Sequence, residues 1–391
     1  MPKVRIDEQA EPDELPPGPA DSAVILRGGF TTGTAAVAAA MAATIILTGK
    51  TPPSAIAVRL PGGDDLSVSV AQASIVNADE AMAVVVKDGG DDPDVTNRAE
   101  IGAIVRRRPE PGLIHIIGGR GVGRVTRPGL VLPPGQWAVN PGPRAMLQEN
   151  LAPFLCPGTL PGLEVEIFVE KGEELATRTL NPRLGIVGGI SILGTTGLVK
   201  PFSNEAYVAT IESALNVAKA AGLKEVVLTT GRRSEKLAMN RRPDLPPESF
   251  IQVADFYGAA LEMAAERFFS VIGLAAFFGK AVKQAAGHFN THAHRNDQDT
   301  ASLAGWLSPP FDEELTSEIG RNLTARGALE TIRQRGAARA AEWAAGLVAE
   351  KALISARNFV GSGPDLWMVI FDYDDQPLAE SSAADSGRGA S

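Results

Sequence analysis

Asn181-Pro-Arg-Leu-Gly-Ile-Val-Gly-Gly-Ile-Ser-Ile-Leu-Gly-Thr-Thr-Gly-Leu-Val-Lys-Pro-Phe202 separates two patterns of residues in this 391-residue chain. Apolar residues give the stretch strand character, and Gly185, Gly188, Gly189, Gly194 and Gly197 open backbone conformations that a Cβ forbids. Thr195 and Thr196 set hydroxyls beside backbone N–H groups. Such a loop can bring main chain against an anionic or polar ligand. It serves equally as a set of tight turns joining two domains. It matches neither a Walker A sequence nor G-x-G-x-x-G, so the residues alone define a ligand loop at a domain junction and no chemistry.

Upstream, Ile56–Leu60, Leu66–Val70 and Ala81–Val86 alternate as strands of an antiparallel sheet do, and Leu163–Val169 reads as a further strand. Gly28-Gly-Phe-Thr-Thr-Gly-Thr34 feeds a helix of small residues through Thr48, with Thr32 or Thr34 as its cap and Gly49 as its stop. Asn140-Pro-Gly-Pro-Arg144 reads as rigid turns ahead of a short helix from about Ala145. Downstream, strands at 225–230, 249–253 and 270–274 alternate with helices, which implies a parallel sheet with ligands at the carboxyl ends of its strands. A long helix over 328–357 and a strand over 365–373 follow. The expected fold is an α+β N-terminal domain, mostly antiparallel sheet with helices, then an α/β Rossmann-like domain with a parallel sheet. The expected limits are a disordered arm over 1–22, the α+β domain over 23–180, the α/β domain with its Gly-rich ligand loop over 181–375, and a disordered polar tail over 376–391.

Composition narrows the functional classes. Hydrophobic residues at 44% and charged residues at 21% are those of an ordinary soluble protein, and the net charge of −9 argues against a general nucleic-acid binder. The apolar run Ala35–Leu47 is too short and too alanine-rich to span a bilayer, so no membrane is expected. Residues 1–22 lack the apolar core of a signal peptide. The one cysteine, Cys156, cannot form an internal disulfide or hold a metal by itself, which fits a reducing cytoplasm.

Four further stretches carry candidate chemistry. The threonines of the opening loop, Thr31, Thr32 and Thr34, stand at a helix N-terminus, where a carboxylate or phosphate is favoured or plain capping suffices. Lys87-Asp-Gly-Gly-Asp-Asp-Pro-Asp-Val-Thr96 crowds Asp88, Asp91, Asp92 and Asp94 into a turn, either for a hard cation or polar ligand or as aspartates capping backbone N–H groups. Between Arg98 and Arg127 seven arginines, Arg120 and Arg124 among them, face two glutamates, a local reversal of sign suited to an acidic small molecule or to a solvated strand face. At the expected strand ends stand Thr230, Gly231, Glu235, Asp255 and Gly273. Gly287-His-Phe-Asn-Thr-His-Ala-His294 gathers His288, His292 and His294 with Asn290, for proton transfer or a substrate's metal. A histidine-only zinc site is disfavoured in a chain without thiolates to spare, and no metal is assigned.

Taken together, Phe30-Thr-Thr-Gly-Thr34, Lys87–Thr96, Gly121-Val-Gly-Arg-Val-Thr-Arg-Pro-Gly129, Asn181–Gly197, Gly279-Lys-Ala-Val-Lys283 and Ala286-Gly-His-Phe-Asn-Thr-His292 resemble the CbiD family. They occur in family order over about residues 26–375. Two positions depart from its pattern: Ala35 stands where a cysteine is usual, so no cysteine nucleophile is implied, and Asp255-Phe-Tyr-Gly stands where Asn-Phe-Val-Gly is usual. The resemblance implies a C-methyltransferase of cobalamin biosynthesis, with S-adenosylmethionine as donor and a cobalt-precorrin as acceptor, and it leaves a homodimer open. Under it, Gly188, Gly189, Gly194, Thr195, Thr196, Gly197, Thr230, Gly231, Glu235 and Asp255 are expected at the cofactor. Thr31, Thr32, Thr34, Asp91, Asp92, Arg120, Arg124, His288 and Asn290 are expected at the substrate, and His292 and His294 at catalysis. A non-catalytic corrinoid carrier and a phosphate-binding transferase are the rival expectations.

Overall fold

A computed structural model describes residues 26–156, 160–291 and 299–382. The expected arm over 1–22 and the last residues of the expected tail lie outside them. The chain divides into two compact units, the first Asp21–Asn204 and the second beginning at Glu205.

In the first unit a five-stranded sheet runs in the order Gln72–Asn77, Glu80–Val86, Glu100–Arg108, Gly162–Val169, Ile114–Gly118. Every neighbouring pair is antiparallel except the last, where Gly162–Val169 runs parallel to Ile114–Gly118. The helix Thr32–Leu47 packs on this sheet through alanines 35, 36, 38, 39, 40, 42 and 43, all fully buried. Small side chains let helix and sheet approach closely, and Thr31, not the expected Thr32 or Thr34, caps the helix by accepting the Thr34 N–H on its Oγ1 at 3.2 Å, because the helix already begins at Thr32. A hairpin of Ala55–Arg59 and Asp65–Ser69 completes the expected antiparallel elements. The helix Pro141–Leu151 begins earlier than expected, inside the predicted turns, because a proline at the first helical position loses no bond there.

The glycine-rich stretch belongs wholly to this unit. Gly29–Phe30 pairs with Leu198–Val199, Gly121–Val122 with Gly189–Ile190, and Arg124–Val125 with Ile186–Val187. Three short pairings to upstream residues place the division at Asn204/Glu205, which corrects the expected 180/181.

The second unit has a sheet in the order Phe250–Gln252, Glu225–Thr229, Val271–Phe277, Asp365–Phe371, Pro377–Ser382. The first four strands are parallel, and Pro377–Ser382 returns antiparallel from residues expected as a disordered tail. Helix Arg232–Arg241 covers one face through Ala238, against Val227, Phe250, Ala275, Val369 and Phe371. The other face meets Asn204–Ala220, Tyr257–Glu266, Phe278–Ala285 and Ala340–Val360. The unit's first strand, Glu225–Thr229, is interior and the second, Phe250–Gln252, is the edge beside it, so the winding reverses there. That is a doubly wound order, and it differs from the six-stranded 3-2-1-4-5-6 order of dinucleotide-binding folds. The expected long helix over 328–357 is two, Ala325–Arg335 and Ala340–Val360, broken at Gly336 and at Arg339 with φ of 64°.

Candidate functional site

In the first unit, the loop Ser191–Gly197 lies on the amino end of helix Thr32–Leu47. Gly33 N–H donates to the Leu193 carbonyl at 3.0 Å, Thr31 N–H to that of Gly197 at 3.0 Å, and Thr34 Oγ1 to the same Gly197 oxygen at 2.6 Å. Thr32 Oγ1 accepts the Leu193 N–H at 2.9 Å. The Gly33 and Thr34 N–H groups of this helix terminus are therefore taken by the chain itself.

Beside that junction is a cavity of about 200 Å3. The opening loop contributes Thr31 and Thr32, the glycine-rich stretch Asn181, Ile190, Ser191, Leu193 and Val199, and Thr179 precedes it. From the aspartate turn come Lys87, Asp94 and Thr96. Lys87 is 1% exposed, and its Nζ meets Asp94 Oδ2 at 2.7 Å. Thr96 donates its N–H to Asp94 at 2.7 Å and its hydroxyl at 2.8 Å. Burial by itself would raise the Asp94 carboxyl, but Lys87 and Thr96 outweigh it and hold the group below its ordinary value.

The four aspartates of the turn go to four different places. Asp88 pairs with the Arg27 guanidinium and accepts the Gly90 N–H, which brings its carboxyl down to about 2. Asp91 accepts the Arg27 N–H at 2.6 Å, and Asp92 the Phe202 N–H at 2.9 Å. Among the described residues no cluster of histidine, cysteine, aspartate or glutamate is arranged to hold a metal ion. Burial raises the Asp92 carboxyl, the Phe202 N–H lowers it, and Asp94 raises it further. Its folded pKa thus stands above the unfolded one, so its contribution to stability is complete below the unfolded pKa and is lost as pH rises through the folded pKa. Asp92→Asn is expected to melt higher than the parent at about pH 7 and no higher at about pH 3, as calorimetry at both will test. No gain at the higher pH contradicts this.

The arginines are largely answered by acids from neighbouring strands. Arg106 binds Glu80, Glu164 and Glu166, Arg108 binds Glu164, and Arg120 binds Glu170. Arg124 donates Nε to the Gly135 carbonyl at 2.8 Å and lies 5.4 Å over the Trp137 ring. Neither Arg120 nor Arg124 lines the cavity.

The second unit has its own cluster, at the carboxyl ends of the parallel strands. Thr230 Oγ1 is 3.2 Å from Ser234 Oγ, which bonds back to the Gly231 N–H and carbonyl, each at 3.0 Å. Glu235, buried in the first turn of Arg232–Arg241, accepts Gln252 Nε2 at 2.7 Å. Asp255 follows Ala254, a non-glycine residue held at φ of 46°, and binds Lys280 and Thr291 Oγ1. Burial, then the charges of Glu235 and Asp255, push the Tyr207 hydroxyl up to about 12. A neutral phenol is a donor at physiological pH. His288 and Asn290 follow helix Phe278–Ala285 and are half-buried, whereas His292 and His294 lie outside the described residues.

Of the sequence candidates, the structure brings Thr31 and Thr32 to the cavity, with Gly188, Gly189, Gly194, Thr195, Thr196 and Gly197 in the loop that carries its wall. Thr230, Gly231, Glu235 and Asp255 gather in the second unit. The residues missed are Lys87, Asn181 and Ser191 in the first unit, and Tyr207, Gln252 and Lys280 in the second. Lys87 and Asn181 lay inside stretches already singled out; no local signal marked Tyr207 or Gln252.

A cavity beside the glycine-rich stretch in the first unit, and acidic side chains just past the carboxyl ends of a parallel sheet in the second, are places of the kind where small molecules bind. A family model described as CbiD matches residues 20–201, and one described as CbiD, C-terminal domain, matches residues 290–382. The cobalt-precorrin-5B C(1)-methyltransferase of Nitratidesulfovibrio vulgaris is 42% identical over 94% of this chain and 95% of its own. The protein of the same name from Geobacillus kaustophilus is 41% identical over 92% of this chain and 96% of its own. The chain belongs to the CbiD family. A crystal structure of the cobalamin biosynthesis protein cbiD from Archaeoglobus fulgidus is 29% identical, covering 65% of this chain and 78% of that one, with a TM-score of 0.36, too low to speak for the fold. No helix among the described residues is long and apolar enough to cross a membrane.

Proposed function

We propose that this chain is a cobalt-precorrin-5B C1-methyltransferase of the anaerobic type of cobalamin biosynthesis, acting in the cytoplasm. It moves the methyl of S-adenosylmethionine to C1 of a cobalt-containing, ring-contracted tetrapyrrole and gives cobalt-precorrin-6A. The observation that carries this reading is the end-to-end relation, 42% identity over 94% of the chain, to a protein of that name.

When bound, S-adenosylmethionine supplies a sulfonium methyl: the C–C bond forms at C1 as the C–S bond breaks, and its electron pair stays on sulfur. Charge is neutralised as this in-line displacement proceeds, so the protein's task is alignment. In the first unit Gly188, Gly189, Gly194, Thr195, Thr196 and Gly197 stay proposed for the methyl donor, in the stretch whose Asn181, Ile190, Ser191 and Leu193 line the cavity. Thr230, Gly231, Glu235 and Asp255 present acceptors suited to sugar hydroxyls, with Tyr207 and Lys280 as donors among them. Asp91, Asp92, His288 and Asn290 stay proposed for the tetrapyrrole.

Arg120 and Arg124 are proposed to hold its acidic side chains, since a planar guanidinium matches a carboxylate. Charge reversal at either is expected to raise KM for the tetrapyrrole far more than KM for the methyl donor. Equal effects on both would contradict the assignment.

The test of the function is genetic. A strain lacking its own C1-methyltransferase should regain cobalamin synthesis when it receives this chain, and lack of growth on cobalamin-free medium would count against the reading. A corrinoid carrier would bind no S-adenosylhomocysteine, and a phosphotransfer enzyme would be stabilised by ATP and not by the methyl donor.

A further inference from the structure

The first unit's cavity presents one ammonium and one carboxylate, those of Lys87 and Asp94, 2.7 Å apart. Their net charge is zero, so a lone anion entering would meet Asp94 and a lone cation would meet Lys87. A group that satisfies both is itself dipolar, with a carboxylate toward the ammonium and an ammonium toward the carboxylate. Size narrows the choice. At about 200 Å3 the cavity is below the range of about 300–1,000 Å3 that encloses a whole drug-sized ligand, so it admits one end of a ligand and excludes a macrocycle.

Burial points the same way. Lys87 is 1% exposed and the Asp94 side chain 25%, and an ion pair with a buried member adds little to stability over apolar residues of the same volume. Thr96, with two donors on Asp94, keeps that carboxylate charged and fixed, although neither bond helps to fill the cavity. Thr31, Thr32 and Ser191, each at least nine-tenths buried, line the same space together with the apolar Ile190, Leu193 and Val199. A charged pair with a buried member thus stands in a small cavity of mixed lining.

We propose that this cavity binds the α-amino-carboxylate end of the methyl donor, Lys87 donating to its carboxylate and Asp94 accepting from its ammonium. The inference rests on the reading of that donor as S-adenosylmethionine, whose methionine portion carries such a zwitterion.

Isothermal titration will compare S-adenosylhomocysteine with 5′-methylthioadenosine, which keeps the nucleoside and thioether and lacks the zwitterion. The parent should bind the former about 10- to 100-fold more tightly, the worth of one or two charge-assisted hydrogen bonds. In the double variant Lys87→Met/Asp94→Asn both charges go together, so neither is left buried alone. There the advantage should fall to within about twofold while the affinity for 5′-methylthioadenosine holds. Val199→Phe narrows the cavity from a half-buried wall and leaves the ion pair intact, so it should do the same and serves if the double variant does not fold. An undiminished advantage in a folded variant, or an equal loss for both ligands, overturns the cavity assignment and leaves the donor reading standing. If the parent binds neither thioether, the donor reading fails and this inference fails with it.

Discussion

Lys87→Met, made alone, is expected to lower the stability of the first unit by about 3 kcal/mol, the lower end of what breaking a buried ion pair costs, because the Asp94 side chain is 25% exposed. For a unit of this size that is about 6–12 °C in melting temperature. The loss is not the worth of the contact. With Lys87 gone, Asp94 keeps its two donors from Thr96 but has no counter-charge, and a carboxylate in that place must either stay ionised at a desolvation cost or take up a proton. Adding Asp94→Asn should restore most of the melting temperature, because the polar group left behind is neutral and still accepts from Thr96. Calorimetry on the single and double variants tests this. A single variant that melts with the parent would show that Asp94 is far better solvated than its surroundings imply.

Gly90→Ala is expected to cost about 2–5 kcal/mol, from about 1–2 kcal/mol for a left-handed backbone and about 1–3 kcal/mol for overpacking. Gly90 has φ of 67°, and a Cβ there would stand 2.2 Å from the Arg27 carbonyl oxygen and 2.6 Å from the Gly28 carbonyl carbon. Both are backbone atoms, fixed by Phe30 N–H to the Asp88 carbonyl at 2.8 Å and Asp91 N–H to the Arg27 carbonyl at 2.9 Å. The turn cannot withdraw without breaking those bonds and the Arg27–Asp88 pair. Gly49→Ala is the control: it shares a positive φ, 83°, but a Cβ there meets nothing within 4 Å. It should lose only the conformational part, about 1–2 kcal/mol. Equal losses at the two positions would remove the steric argument, and denaturant titration of both variants decides.

What could be read from the sequence was what depends on near neighbours. Thr31 to Thr34 opens a helix through bonds spanning three residues, and the alternation of Ile56 to Leu60 or Ala81 to Val86 reports one buried face; both were legible. The strand Gln72–Asn77 was missed because it lies at a sheet edge with Ile75 and Val76 more than half exposed, so its alternation carries no apolar stripe. Pro377–Ser382 looked like a polar tail for the same reason: an edge strand covered on one side needs few apolar residues.

The site was legible in part. Glycine and threonine marked the loop, but the acids that answer Arg106 and Arg108 could not be seen locally, because those counter-charges come from neighbouring strands. Arg106 stands opposite both Glu80 and Glu164 in register, 26 and 58 positions away in the chain. Counting charges within 98–127 cannot find them. Nor can a sequence reveal that Lys87, at the end of a strand, turns inward to Asp94 rather than outward to water.

The central claim, that this chain methylates C1 of cobalt-precorrin-5B, is tested most directly by isotope. Purified protein incubated anaerobically with cobalt-precorrin-5B and S-adenosylmethionine labelled with carbon-13 in its methyl should give a product one methyl heavier, with the label on C1 by nuclear magnetic resonance. Label on any other ring carbon, or none transferred while both ligands bind, would contradict it.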